Sequence, residues 1–229
     1  PPECRMSIIA ASSTPSRTVG GDFYDFITMR DQNRLGIVIA DASGKGMPAA
    51  LMVAQIQAIL RSEVNNGNPI EMVLKNMNQQ VATSTSSEKY VTLFYAELDM
   101  VNCEMKYANA GHNYPLLVRS DGSVELLDIG GPVIGAFPDI RYESASVRLQ
   151  RDDVLFFFTD GLSEAMNTDG VEYGEARIRE FLVSQRHLDP QQLLDGILAD
   201  VRRHDPTSPP QDDTTIITMK VTNGAPSNV

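Results

Sequence analysis

The stretch from Gly20 to Gly46 constrains the fold of this chain more than any other. It contains two short apolar runs separated by the polar segment MRDQN, which is typical of a hairpin loop. Asp22 opens the first run and Asp41 closes the second. In an antiparallel hairpin the start of one strand lies beside the end of the next, so these carboxylates are predicted to be neighbours. Two acids held close together repel each other unless a cation lies between them, and a divalent metal with oxygen ligands is the simplest such cation.

Aspartates stand at the ends of other apolar runs as well. Asp160 follows the run VLFFFT and precedes Gly161, while Asp212 and Asp213 precede TTIITMKV. Each of them also fits an ordinary turn or helix cap, because Asp-Gly and Asp-Asp are common in turns. Buried aspartates are rare unless they are paired or coordinated, however, and a hard-metal site needs oxygen ligands from several distant segments. Together with the hairpin pair, these residues therefore predict a metal site.

Helices are predicted in pairs, with strands before, between and after the pairs. Apolar residues at helical spacing predict helices from about Pro48, from Pro69 to about Val81, from Glu175 to Gln185 and from Pro190 to His204. Strands are predicted over most of the remaining chain, including Tyr142 to Leu149 and Thr214 to Val221, with GGPVIGAFPD as a loop. Paired helices favour mostly antiparallel sheets covered by helices over a doubly wound parallel sheet. Because no internal repeat is found, residues 1–229 are predicted to form a single domain.

Charge and cysteine content exclude several classes of function. The 229 residues carry a formal net charge of -11, which argues against nucleic acid or an anionic membrane as a direct partner. The two cysteines, Cys4 and Cys103, lack the spacing of a zinc finger or a disulfide framework. No apolar run reaches the ~18 residues of a membrane span and no signal peptide is recognised, so a cytoplasmic location is expected. Because the sequence starts abruptly at Pro1, the chain is expected to be a domain cut from a longer, multidomain protein.

Six segments carry a family resemblance. They are VGGDFYDF, IADASGKGMPAALM, YANAGHNYPLL, GGPVIG, LFFFTDGLSEAMN and DDTTIITMKV, and they occur in this order between Val19 and Val221. In these segments the chain resembles the bacterial PPM-type metal-dependent serine/threonine phosphatases, in the branch of stage II sporulation protein E and the sigma-factor regulators. The resemblance implies an α+β fold: a four-layer αββα sandwich of two antiparallel sheets flanked by helix pairs.

The resemblance also implies a site for two Mn²⁺ or Mg²⁺ ions at one end of the sandwich. Asp41 would bridge the two ions. Asp22 and the main-chain carbonyl of Ala42 would bind one ion, and Asp160 and Asp212 would bind the other. These residues would act in catalysis through the ions and the water that the ions hold.

Four further residues are expected near such a site. The choice of Asp212 over Asp213 as the direct ligand rests on the alignment of the DDxT motif, and Asp213 would then orient the ligands from outside. Lys45, Arg17 and His112 are expected to contact the phosphate or the leaving group. Lys45 also fits an exposed loop lysine, and His112 also fits a structural histidine in its loop.

The resemblance implies a phosphoprotein phosphatase whose substrate is a phosphorylated anti-sigma-factor antagonist. Two divalent ions lower the pKa of a shared water and neutralise the phosphate oxygens, so direct hydrolysis without a phospho-enzyme is expected. The alternatives are a catalytically silent module that binds a regulatory partner, and a two-metal phosphoesterase acting on a small molecule. A silent module should have lost ligand acids, and none is missing here. The first helix pair, 47–81, is expected either to pack on the core or to form a regulatory homodimer surface.

Overall fold

The computed structural model describes residues 7–16, 18–85, 89–204 and 211–222. The chain divides into two compact units. The terminal unit contains residues 1–16, 113–126 and 149–229, and the central unit contains residues 17–112 and 127–148. In the described ranges, no helix is both long and apolar enough to cross a membrane.

The strands and helices of the described residues are numbered along the chain. The strands are β1 (Ser7–Thr14), β2 (Asp22–Thr28), β3 (Arg34–Ala42), β4 (Val91–Asp99), β5 (Glu104–Ala110), β6 (Leu116–Val118), β7 (Val124–Leu126), β8 (Gly130–Gly131), β9 (Ala145–Arg148), β10 (Val154–Phe158) and β11 (Thr214–Val221). The helices are α1 (Met47–Asn65), α2 (Ile70–Ser84), α3 (Asp160–Ser163), α4 (Glu175–Gln185) and α5 (Pro190–His204).

The central unit consists of a sheet with α1 and α2 on one face. Its described strands are ordered β2-β3-β4-β5-β8, and β9 also pairs with β5. The pairings are antiparallel apart from the short β5–β8 contact. Residues 35–40 of β3 are all buried, as expected for a central strand that is apolar on both faces. Side chains of α1 and α2 such as Ile56, Leu60, Leu74 and Met77 pack with the sheet into one core.

The terminal unit repeats this plan with a different sheet. Its described strands are ordered β1-β11-β10-β6-β7, and each pairing is antiparallel. Phe156 and Phe158 of β10 pack with Leu182 of α4 and Ile197 of α5. The predicted α+β class, with antiparallel sheets and helices in pairs, is therefore confirmed.

Local predictions differ in accuracy. The predicted bounds of α4, α5 and β11 agree with the structure. The predicted strand Tyr142 to Leu149 is shorter, because β9 covers only Ala145–Arg148. Two elements were not predicted: β8, which lies in the expected loop GGPVIGAFPD, and α3, which begins at the aspartate that ends the run VLFFFT. Both are too short to show a periodic pattern.

A buried ion pair fastens the start of β10. The Asp153 side chain is fully buried, accepts a hydrogen bond from the Gln150 N–H at 2.8 Å, and lies 2.7 Å from Arg119 Nη1. Burial raises the pKa of Asp153 in spite of the arginine beside it. Arg119 also pairs with Glu125, whose side chain is 51% exposed.

Replacing Arg119 by methionine is expected to lower the free energy of unfolding by about 3–5 kcal/mol, because it leaves a buried carboxylate without its cation. Urea denaturation measures the change. Glu125→Gln removes the exposed partner of the same arginine and should cost no more than about 1 kcal/mol. Equal losses in the two variants would contradict this account.

Glu71 of α2 provides an acid-sensitive contact. Its carboxylate accepts a hydrogen bond from Ser144 and lies 2.9 Å from Lys106 Nζ. Partial burial raises its pKa, but these partners outweigh burial and lower the pKa from 4.5 to about 2. Since the folded pKa lies below the unfolded value, the contact stabilises the fold above pH 4.5 and is lost as the pH falls from 4.5 towards 2.

Glu71→Gln is therefore expected to flatten the dependence of the urea midpoint on pH within that window and to leave its slope near neutral pH unchanged. Solvent screening keeps the effect small, because the side chain is 36% exposed. If the urea midpoint falls equally in wild type and variant between pH 4.5 and 2, the prediction is wrong.

Candidate metal centre

Asp22 and Asp41 lie directly opposite each other in the β2–β3 hairpin. The Ala42 N–H donates to the Gly21 carbonyl at 3.0 Å, which makes Gly21 and Ala42 a hydrogen-bonded pair. Asp22 and Asp41 are then the adjacent, non-hydrogen-bonded pair, in which opposing Cα atoms are only about 4.5 Å apart. The prediction that Asp22 and Asp41 are neighbours is confirmed.

Both aspartates occupy the face of the sheet that α1 and α2 do not cover. Phe23 and Ala40, their neighbours along β2 and β3, belong to the core formed with these helices. Because side chains alternate between the two faces of a strand, Asp22 and Asp41 lie on the opposite face. Two like charges directly opposite on adjacent strands destabilise the pair unless a cation offsets them.

The other aspartate of β2 has a different environment. Asp25 faces α1, where Arg61 Nε and Nη2 each donate to it at 2.9 Å and Gln57 donates at 3.1 Å. This bidentate pair neutralises Asp25 and ties the hairpin to the helix. Of the two acids in GGDFYDF, the structure therefore supports Asp22 as the metal ligand.

Gly21 brings further oxygen atoms to the same end of the hairpin. A methyl group at this position would lie 2.8 Å from the Ala42 carbonyl oxygen and 3.4 Å from Asp41 Oδ1. The carbonyl of Ala42 and the carboxylate of Asp41 thus border the same small volume. Both belong to the donor set that the family resemblance implies.

The loop after β3 packs against the start of β4. The Ser43 N–H donates to the Tyr90 carbonyl at 2.9 Å, and the Tyr90 N–H donates to Ser43 Oγ at 3.0 Å. Lys45 is exposed in this loop. A second cation, Lys89, was missed in the sequence: its Nζ lies 3.1 Å from where a Cβ on Gly44 would be. The loop therefore has two ammonium groups close to it.

His112 is buried, with only 3% of its surface exposed. Its Nδ1 lies 2.9 Å from Thr92 Oγ1, and Thr92 is paired in register with Asp41. The Asn109 side chain accepts from the His112 N–H at 2.7 Å and donates to the His112 carbonyl at 3.0 Å. These contacts favour the interpretation of His112 as a structural histidine over one in which it contacts the phosphate or the leaving group.

The terminal unit contains a second group of acids. Asp160 begins α3, with one residue between it and the end of β10, and its carbonyl accepts from the Glu164 N–H at 2.7 Å. The pKa of Glu164 is raised, first by burial and then by the negative charges of Asp160, Glu172 and Asp212. The acids predicted as ligands in this unit are therefore close enough to repel a shared neighbour. Glu164 and Glu172 were not singled out in the sequence.

The two adjacent acids before β11 have different partners. Asp213 is 8% exposed and accepts from both the N–H and the hydroxyl of Ser16, at 2.7 and 3.0 Å. Asp212 is less buried, and its Oδ1 accepts from the Asp213 N–H at 2.9 Å. This arrangement supports Asp212 as the ligand and Asp213 as the residue that fixes its loop. Arg17, expected to bind phosphate, lies outside the described residues.

Oxygen donors make up both groups of acids. Aspartate carboxylates and a main-chain carbonyl are the ligands that Mg²⁺ and Mn²⁺ prefer, and they suit softer metals poorly. Over the described residues, no group of three or more His, Cys, Asp or Glu side chains is arranged to hold a metal ion. The donors occur instead as the hairpin pair in the central unit and the Asp160 and Asp212 pair in the terminal unit.

Comparison with known proteins identifies the class. The family model of stage II sporulation protein E (SpoIIE) matches residues 31–222. Phosphoserine phosphatase RsbU of Bacillus subtilis (strain 168) is 32% identical over 163 residues, which cover 71% of this chain and 48% of RsbU. The solved PP2C phosphatase domain of SpoIIE from B. subtilis, with a fragment of its regulatory domain, has a TM-score of 0.81 at 21% identity over 96% of this chain and 64% of that one. The RsbU and RsbW domains of a Mycobacterium tuberculosis protein have a TM-score of 0.80 at 25% identity, over 96% of this chain and 63% of that one.

The fold is therefore that of a PP2C-type phosphatase domain, a class whose members depend on metal ions. The chain belongs to the SpoIIE family, which confirms the family resemblance, and the matched residues 31–222 contain five of the six sequence segments. It spans about half the length of the relative RsbU.

Proposed function

We propose that this chain is a metal-dependent protein phosphatase that hydrolyses phosphoserine or phosphothreonine directly. The observation that carries the proposal is the register pairing of Asp22 with Asp41 on the face of the sheet that the helices leave uncovered. Such a like-charged pair destabilises the fold unless it binds cations. Family membership supports the reaction class, because the relative RsbU is named a phosphoserine phosphatase.

Two divalent ions, Mn²⁺ or Mg²⁺, would be held by the predicted oxygen donors. Asp22, Asp41 and the Ala42 carbonyl of the central unit and Asp160 and Asp212 of the terminal unit would supply these donors. When bound, the ions would neutralise the phosphate oxygens and supply an activated water. The chain's own contribution is to hold four carboxylates in fixed positions on the ends of strands and short loops.

Other residues would hold the site in shape and attract the substrate. Asp213, through its bonds to Ser16, would fix the loop that carries Asp212. Lys45 and Lys89, close to the loop after β3, would attract a phosphate to a chain that is otherwise strongly acidic.

Neither of the two described serines closest in sequence to Asp41 and Asp160 is supported as a nucleophile. Ser43 Oγ accepts a hydrogen bond from the Tyr90 N–H, and Ser163 Oγ donates to the Asp160 carbonyl at 3.2 Å. Neither hydroxyl has a basic side chain among these partners to activate it. These contacts support direct hydrolysis without a phospho-enzyme.

The proposed physiological substrate is a phosphorylated anti-sigma-factor antagonist, because the family resemblance lies in the branch of sigma-factor regulators. A catalytically silent binding module is the alternative. The retention of all four predicted ligand aspartates favours the enzyme.

The test measures hydrolysis of a phosphoserine peptide and of p-nitrophenyl phosphate with Mn²⁺, with Mg²⁺ and with a chelator, together with Mn²⁺ binding by calorimetry. Metal-dependent release of phosphate from both substrates is expected. Hydrolysis of the aryl phosphate alone would favour a phosphoesterase for small molecules. Absence of both turnover and Mn²⁺ binding would overturn the catalytic proposal and favour the binding module.

A further inference from the structure

A chain of hydrogen-bonded polar side chains reaches β4, the strand next to the one that carries Asp41. It runs from Asn109 at the end of β5, through His112, to Thr92 on β4. Asn109 and His112 are 2% and 3% exposed, so neither can make extensive contact with a protein substrate. Buried polar side chains cost free energy unless they are satisfied, and such a network fixes the groups at its ends.

Thr92 borders Asp41 on the side away from Asp22. The register places Asp22, Asp41 and Thr92 in one row across β2, β3 and β4. The bond from the Ser43 N–H to the Tyr90 carbonyl shows that Asp41 and Thr92 form a hydrogen-bonded pair. Opposing residues share a face, and their Cβ atoms are about 4.5–5.5 Å apart. The Asp41 side chain therefore stands between a carboxylate and a hydroxyl.

The orientation of that hydroxyl is set by His112. Thr92 Oγ1 lies 2.9 Å from His112 Nδ1, whereas its distance to the Asp41 carbonyl oxygen is 3.5 Å. The shorter contact decides the rotamer, because threonine is stiff about its first side-chain torsion. The Thr92 methyl and hydroxyl groups then have fixed positions beside Asp41.

The backbone holds the imidazole rigidly. Gly111, the preceding residue, has a φ of 69°, and a methyl group there would overlap the side chain of Val133. Asn109 fixes both the N–H and the carbonyl of His112. His112 is thus held in one position and has little freedom to turn towards a substrate.

We propose that His112 and Thr92 are positioning residues for the Asp41 carboxylate, acting through the row of side chains across β2, β3 and β4. This inference rests on the proposed function and adds to it an account of what holds the Asp41 carboxylate in position. Groups behind metal ligands typically change metal affinity 10- to 100-fold when they are replaced.

The test compares Thr92→Val, which keeps the shape of the side chain and removes the hydroxyl, with the matched control Thr92→Ser, which keeps the hydroxyl. Thr92→Val should weaken Mn²⁺ binding by about tenfold and lower kcat with little change in KM. Thr92→Ser should restore most of both. The melting temperatures in chelator should stay close to that of the wild type, which separates positioning from loss of stability.

A second variant tests the connection itself. His112→Gln should act in the same direction, and the double variant with Thr92→Val should be no weaker than the more affected single variant, because both changes break one chain of contacts. Additive losses in Mn²⁺ affinity would overturn the inference. Thr92→Val with wild-type affinity would do the same, even if His112→Gln failed to fold.

The ¹³Cγ chemical shift of Asp41 in the metal-free protein separates this inference from the proposed function. Thr92→Val should move the shift and Thr92→Ser should not. Failure of the wild type to bind Mn²⁺ would overturn the proposed function. An Asp41 signal that is indifferent to Thr92→Val would overturn the positioning role, whether or not metal binds.

Discussion

The Asp41→Asn variant is expected to lose phosphatase activity by on the order of 10³-fold or more, with its fold intact. Asparagine keeps the shape of the side chain but removes the charge that faces Asp22 across the hairpin. In the proposed site Asp41 would help to hold the metal, so its loss should weaken metal binding and activity together. Hydrolysis of a phosphoserine peptide in Mn²⁺ and Mn²⁺ calorimetry measure the two effects.

The same variant should not be less stable without metal. Like charges directly opposite on adjacent strands destabilise an antiparallel pair, and the substitution relieves that repulsion. Metal-free Asp41→Asn is therefore expected to melt at the same temperature as the metal-free wild type or above it. Asp31→Asn, in the turn of the same hairpin, is the matched control and should keep full activity. Activity of Asp41→Asn within tenfold of the wild type would rule out the proposed role of Asp41 as a metal ligand.

Gly161→Ala is expected to disturb the positions of Asp160 and Asp212 by displacing the main chain that carries them. A methyl at Gly161 would overlap the main-chain carbonyl oxygen of Asp213, which cannot swing aside as the tip of a side chain can. The segments that carry Asp160 and Asp212 should be pushed apart. We expect a loss of about 3 kcal/mol in unfolding free energy and a fall of about tenfold in Mn²⁺ affinity.

Gly170→Ala is the matched control in the same unit. Gly170 has a φ of 73°, and a methyl group at this position would meet no atom within 4 Å. Its cost therefore comes from backbone conformation alone and should be about 1 kcal/mol. Urea denaturation and Mn²⁺ calorimetry compare the two variants. If both substitutions lower the unfolding free energy equally and neither changes Mn²⁺ affinity, the close approach of the two segments has no role in the site.

Features that depend on neighbouring residues could be predicted from the sequence. The pairing of Asp22 with Asp41 follows from two apolar runs and one turn, and their register needs no information from elsewhere in the chain. The bounds of α4 and α5 follow from helical periodicity and from starts at Glu175 and Pro190. In each case the signal is contained in a short, continuous stretch of the chain.

Features that depend on distant contacts could not be predicted. In the sequence only the DDxT motif distinguishes Asp212 from Asp213, and their different environments depend on Ser16, 197 positions away from Asp213. Thr92 and Lys89 gain their significance from pairing with the segment around Asp41, and neither carries a motif of its own. Glu164 is the partial exception, because it follows Asp160 by one helical turn in TDGLSEA, a spacing that is visible in the sequence.

The pairing of β1 with β11 has a consequence for how the protein is made. Ser7 pairs with Val221, and β11 is the strand next to β1 in the described sheet. At roughly 5–20 residues per second, a ribosome needs on the order of 10–40 seconds to deliver the second strand after the first. Throughout that interval β1 lacks β11, the strand that it pairs with in the described sheet, so the sheet cannot be completed. The hairpin that carries Asp22 and Asp41 can form long before then, so the nascent chain acquires its first pair of acids well before its second.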